Sequence, residues 1–278
     1  MKNFRWVSLL LLTFALALRA QVTVEIAPVQ EQFLPGESLL VAVKITNRSG
    51  QPLQFGADNE WLKISAESKE GYFISRTAPL PVQGEFTLES GKVATRRVDI
   101  APGFNLTKPG RYIVTASVTV KEWNKEYPTA PAEFDIVNAL ALRELEFGVP
   151  TTLGQPPEVR KYTLQQAHYL KQLRLYVRVT DSPETKVIRV TPLGGMVSFS
   201  APEVQVDRAS HLHVLWQTGA RGFAYRVVNP AGEVVVRETH DYTTSRPKLR
   251  ADDAGKIIVW GGVRHPSRDD LPTAAPKP

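Results

Sequence analysis

Val206-Asp207-Arg208-Ala209-Ser210-His211-Leu212-His213-Val214 returns 45 residues on as Ala251-Asp252-Asp253-Ala254-Gly255-Lys256-Ile257-Ile258-Val259. A proline precedes each copy, Pro202 and Pro247. Self-similarity at that period marks one supersecondary unit stacked beside its copies rather than a free-standing fold. The aspartates open equivalent turns between strands, where an Asp side chain bonds the turn backbone. Recurrence at a repeat position gives Asp207 and Asp252 a structural role before a catalytic or calcium-binding one.

Outward from this repeat, hydrophobic residues alternate with a period of two nearly everywhere, and turn residues cut the pattern into short strands. The window with most helical character is Leu164–Leu173. Residues 21–138 read as seven strands, near 22–27, 38–46, 61–66, 84–88, 94–100, 110–121 and 132–137. That number over this length predicts an immunoglobulin-like sandwich. Pro109-Gly110-Arg111-Tyr112 feeds a long strand, with Tyr112 as its first inward aromatic and a corner tyrosine of the sandwich. Trp61 reads as core.

Three segments, Ile45-Thr46-Asn47-Arg48-Ser49-Gly50-Gln51-Pro52-Leu53-Gln54-Phe55, Phe86-Thr87-Leu88-Glu89-Ser90-Gly91 and Pro109–Ala116, resemble the bacterial BsuPI-type family of immunoglobulin-like domains, named after an intracellular proteinase inhibitor. The resemblance covers about the first half of the chain and implies the sandwich fold. Its motifs report strand turns, so they speak to fold far more than to inhibition.

Residues 139–156 are expected to be a connector and 157–264 a second β-unit. Strands are expected near 159–164, 172–179, 186–191, 196–200, 203–207, 211–217, 223–229, 233–239, 247–251 and 256–261. Ile188–Val197 echoes Tyr225–Val234, and Leu173–Val177 echoes Leu212–Trp216. A unit of about four strands with a glycine hairpin resembles a β-propeller blade. Only two such units and the start of a third fit, so the fold class is all-β: an immunoglobulin-like sandwich followed by about two blade-like four-stranded units. Such units leave open edges unless they form a two-sheet sandwich, self-associate or dock on a partner. Residues 265–278, rich in proline, alanine and charge, are expected to be a disordered tail.

Residues 1–20 read as a secretory signal: basic Lys2 and Arg5, an apolar Trp6–Leu18 too short to span a bilayer, and Ala20 at the cleavage site. A secreted location, periplasmic, cell-envelope or extracellular, is therefore expected. The chain has no cysteine, which excludes disulfides, thiol catalysis and cysteine-ligated metals. The formal charge is +6, from 34 basic and 28 acidic residues. Lys2, Arg5 and Arg19 lie in the leader, so the remainder carries only +3, without a basic run. Nucleic-acid binding is thus unsupported.

Candidate chemistry is sparse. His211 and His213 share one strand face, as a metal pair would. His240-Asp241 is the only nearby supplier of further ligands. The second copy carries Lys256 and Ile258 instead, so the histidines are expected on a solvated face with no metal. Trp123 and Tyr127, in the charged tip Lys121–Tyr127, are expected to be exposed, and they form the only candidate ligand-binding pair, suited to stacking on a sugar. Asn47-Arg48-Ser49 and Asn105-Leu106-Thr107 match the glycosylation pattern. Hydrolase and nucleotide motifs are absent. No catalytic residue, cofactor or metal site is expected. The reading is a non-enzymatic protein-binding or structural module, with a protein partner or second copy at its open edges. The alternatives are an inhibitor of secreted proteases and a carbohydrate-binding module.

Overall fold

The computed structural model describes residues 21–80, 82, 84–149 and 158–271. The expected signal segment and the last seven residues of the expected tail lie outside the described residues. The described chain is all-β, with no α-helix. The strands are β1 (Val22–Pro28), β2 (Gln32–Phe33), β3 (Leu40–Asn47), β4 (Leu53–Phe55), β5 (Leu62–Ser68), β6 (Phe86–Leu88), β7 (Val93–Asp99), β8 (Gly110–Val120), β9 (Lys125–Pro128) and β10 (Ala132–Ile136). They continue with β11 (Leu140–Val149), β12 (Glu158–Tyr169), β13 (Gln172–Asp181), β14 (Val187–Gly195), β15 (Glu203–Val206), β16 (Leu212–Gln217), β17 (Gly222–Val228), β18 (Val234–Asp241), β19 (Lys248–Ala251), β20 (Ile257–Trp260) and β21 (Val263–His265).

Two compact units result. Among the described residues, the first comprises 21–31, Leu39–Asn105 and Gly110–Asp135; the second comprises Gln32–Ser38, Leu106–Pro109 and those from Ile136 to Leu271. In the first, sheet β1-β3-β7 and a sheet of β10, β8 and β5, with β9 also on β8, supply the inward residues. Alternation along β8 buries Tyr112, Val114, Ala116, Val118 and Val120. Tyr112 stacks on Phe134 at 5.5 Å. Trp61 is 2% exposed, packs edge-on against Phe86, and donates its indole N–H to the Val82 carbonyl. Asn47 is fully buried; its amide donates to the Gln51 and Leu88 carbonyls, so this sequon asparagine closes a turn.

The second unit is built from consecutive antiparallel meanders. β11-β12-β13-β14 form one sheet, β15-β16-β17-β18 with β21 form the next, and β19-β20 stand as a separate hairpin. Phe147, Tyr162, Leu164, Leu175, Val177 and Val179 of the first sheet pack on Leu212, Val214, Trp216 and Val228 of the second. On its other face, Leu215, Phe223, Tyr225 and Val227 pack on Leu249 and Ile257 of the hairpin. All six residues of β16 are therefore buried, the polar His213 and Gln217 among them.

Several expectations change. The 139–156 connector contains β11, nine of whose ten residues pair with β12; its charged, exposed composition is that of an edge strand rather than a linker. Leu164–Leu173 is not helical: it completes β12 and turns into β13, its apolar spacing reflecting burial on both sheet faces. Residues 196–200 form no strand, since they link two sheets. The 37-residue echo is not a structural repeat. Gly194 and Gly195 stay inside β14, whereas Asn229–Gly232 turns between β17 and β18. Both ends of the described part of the expected tail are paired: His265 lies opposite Thr239 in the β18–β21 ladder, Leu271 and Arg237 exchange both backbone hydrogen bonds, and Arg264 reaches Asp270 at 3.1 Å.

Candidate functional site

The repeated segment forms the same hairpin twice. At the first, Asp207 Oδ1 accepts from the N–H groups of Ala209 (2.9 Å) and His211 (2.8 Å); at the second, Asp252 Oδ1 accepts from Ala254 (3.0 Å) and Lys256 (2.8 Å). The backbone closes alike, Asp207 N–H to His211 O and Ser210 N–H to Asp207 O, matched by Asp252 to Lys256 and Gly255 to Asp252. Ser210 (φ 63°) and Gly255 (φ 77°) occupy the same left-handed position. Asn229 repeats the device between β17 and β18, accepting from Ala231 and Glu233. An Asx side chain that satisfies two turn amides fixes where each strand ends.

The first copy holds more. Asp207 Oδ2 lies 3.1 Å from His213 Nε2 and 3.4 Å from His211 Nδ1. His213 Nδ1 lies 2.7 Å from the Tyr225 hydroxyl. A neutral ring satisfies both contacts, donating from Nε2 to the carboxylate and accepting from Tyr225 at Nδ1. Burial pushes the His213 pKa down, opposed by Asp207. Burial works against the Asp207 carboxylate, but His213 and the His211 N–H outweigh it and hold its pKa below the ordinary value. Tyr225 is pushed up by burial, so its hydroxyl stays protonated. Contrary to the solvated face expected for both histidines, His213 is 6% exposed, because the β19-β20 hairpin covers its side of β16. Among the described residues no three His, Asp or Glu side chains are gathered as a metal site, and His240 turns to Glu238 at 3.2 Å. The arrangement ties the β15–β16 turn to the neighbouring strand β17 through Asp207, His213 and Tyr225.

Trp123 and Tyr127 do come together, with ring centroids 6.4 Å apart, but at 67°. Tyr127 is buried, 9% exposed, rather than at an open tip, because β9 pairs it with Val118 of β8. The pair offers no flat platform.

What the second unit leaves open is strand edge. Among the described residues, β11 has β12 on one side only. Every residue from Leu140 to Glu144 is exposed, Leu140 by 62%. Among the described residues, β20 pairs β19 on one side only, although its counterpart β16 pairs on both. By contrast the β18 edge is covered at Thr239–Asp241 by β21 and at Arg237 by Leu271. These edges lie in a strand expected as linker and in the incomplete third repeat; exposed Leu140 and Leu142 were the available signal.

No protein-family model matches the chain, and no curated protein matches it. Among solved structures, the sporulation control protein Spo0M from Bacillus subtilis is similar with a TM-score of 0.31 and 9% identity, over 57% of this chain and 79% of that one. A likeness so distant carries nothing about function. No helix among the described residues is long and apolar enough to cross a membrane.

Proposed function

We propose that the chain is a non-enzymatic, extracytoplasmic protein-binding or structural module that engages partners through its sheet edges. The observation that supports it best is the unequal treatment of edges in one unit. The β18 edge is capped by the chain's own strand β21, while β11 is exposed from Leu140 to Glu144. Unpaired N–H and C=O groups on an exposed edge are a template for another strand. The test is a photo-crosslinking residue at Leu140, compared with one at Val235 on capped β18, in cells expressing the full chain. A discrete crosslinked protein from position 140 alone supports the reading. No crosslink from either position, with a strictly monomeric chain, overturns it. Carbohydrate binding loses the flat aromatic pair on which it rested.

A further inference from the structure

Resting on that edge-binding reading, we infer that β11 receives an extended acidic segment of a partner protein, with side chains seated in a recess beside Leu142. The register of β11 on β12 shifts between Ala141 and Arg143, which leaves Leu142 bulged out of the ladder. Bulges at sheet edges re-aim a side chain. Here Leu142 and Arg143 border a recess of 410 Å3 whose other walls include Leu164, Met196, Phe199 and Pro202. Phe199 is 77% exposed and sets an apolar ring at the rim of this recess. A second recess, of 640 Å3, continues from Gln166, Met196 and Ser198 to His168 and Lys171.

Charge sets the occupant. The described residues lining both recesses include Arg143, Lys171 and His168 and no carboxylate. The acids farther along β11 are engaged, Glu144 with Lys161 at 3.3 Å and Glu146 with the Ser182 hydroxyl at 3.0 Å. A negative, partly apolar ligand is complementary to this surface. The neighbouring backbone makes it a peptide: the free ladder groups of an edge strand are satisfied by another extended backbone, and alternate side chains then enter pockets on one face. A second copy fits less well, because its own β11 acids are held by Lys161 and Ser182 and bring no free carboxylate to Arg143 and Lys171.

The test uses the full chain and two synthetic probes, a short peptide alternating glutamate with valine and its lysine–valine counterpart. Binding is read by fluorescence anisotropy, and its position by hydrogen exchange of the chain's amides. The glutamate peptide is expected to bind, to protect residues 140–145, and to weaken about tenfold or more in the double variant Arg143→Glu, Lys171→Glu. Phe199→Ser is expected to weaken it as well, with unchanged melting of both variants. Equal binding of the two peptides, no binding of either, or protection at β20 instead of β11 overturns the inference. So does a concentration-dependent dimer protected at 140–145, or charge-dependent binding to anionic vesicles without peptide binding. If position 140 crosslinks a partner yet the charge variants change nothing, edge binding stands and the acidic partner falls; if nothing crosslinks, both fall.

Discussion

The Asp207 and Asp252 hairpins share their sequence pattern, their four turn hydrogen bonds and their left-handed residue, yet they hold different places. The first lies in a sheet covered on both faces; Tyr162 reaches the Ser210 carbonyl at 3.0 Å, and Ser210 donates its hydroxyl to Gly148 O at 2.6 Å. The second forms a two-stranded layer with one covered face, its outer side carrying Arg250 over the half-exposed Trp260 at 4.7 Å. The difference teaches that the repeat specifies a turn. What the turn supports depends on how many layers close over it.

The widest gap between the copies is expected in the core. Leu212→Ala, at a fully buried site between two sheets, should cost about 4 kcal/mol in urea unfolding. Ile257→Ala in the outer hairpin should cost about 2 kcal/mol, since its surroundings can relax. Equal costs would mean the hairpin is as firmly held as the sheet beneath it.

Removing the turn carboxylates comes next. Asp252→Ala removes the carboxylate that accepts from two turn N–H groups, about 1 kcal/mol; Asp207→Ala also strips a buried histidine of its partner and should cost about 2–3 kcal/mol. A double-mutant cycle with His213→Gln isolates that extra term.

The third contrast is in pH. The folded His213 pKa is depressed, so the fold favours the neutral ring. Its contribution is fully present above the unfolded value of about 6.5 and is lost as pH falls through the folded value. Asp207, also depressed, adds a second loss at lower pH, below its unfolded value of about 3.9. Stability measured from about pH 8 down to pH 5 should fall, and His213→Gln should flatten that slope. Ile258, at the equivalent place in the second copy, does not titrate, so Ile258→Val leaves the slope intact.

The smallest effect is at the left-handed position. Gly255→Ala should cost about 1 kcal/mol. Ser210→Gly should come out near zero, because relief of backbone strain offsets the lost bond to Gly148.

Much of the fold was legible in local pattern. β1, β3, β5, β7, β8 and β10 fall within a few residues of the alternating runs that announced them, and Tyr112 and Trp61 lie in the core as their spacing implied. β11 was not legible: Arg143, Glu144 and Glu146 dilute its apolar signal, and it is a strand because β12 supplies nine residues of ladder. Tyr127 was misjudged for a related reason, since Lys125 and Glu126 disguise a strand whose alternate residue turns inward.

The sequence by itself determined the all-β class and the turn chemistry, because period-two alternation and an Asx residue with its own two amides are local facts. Tertiary structure alone decided that His213 is buried while Ile258 is only partly covered, that the β18 edge is closed, and that β11 is left open. Those outcomes depend on which layer lies next in space, and nothing within a strand encodes the presence of its neighbour.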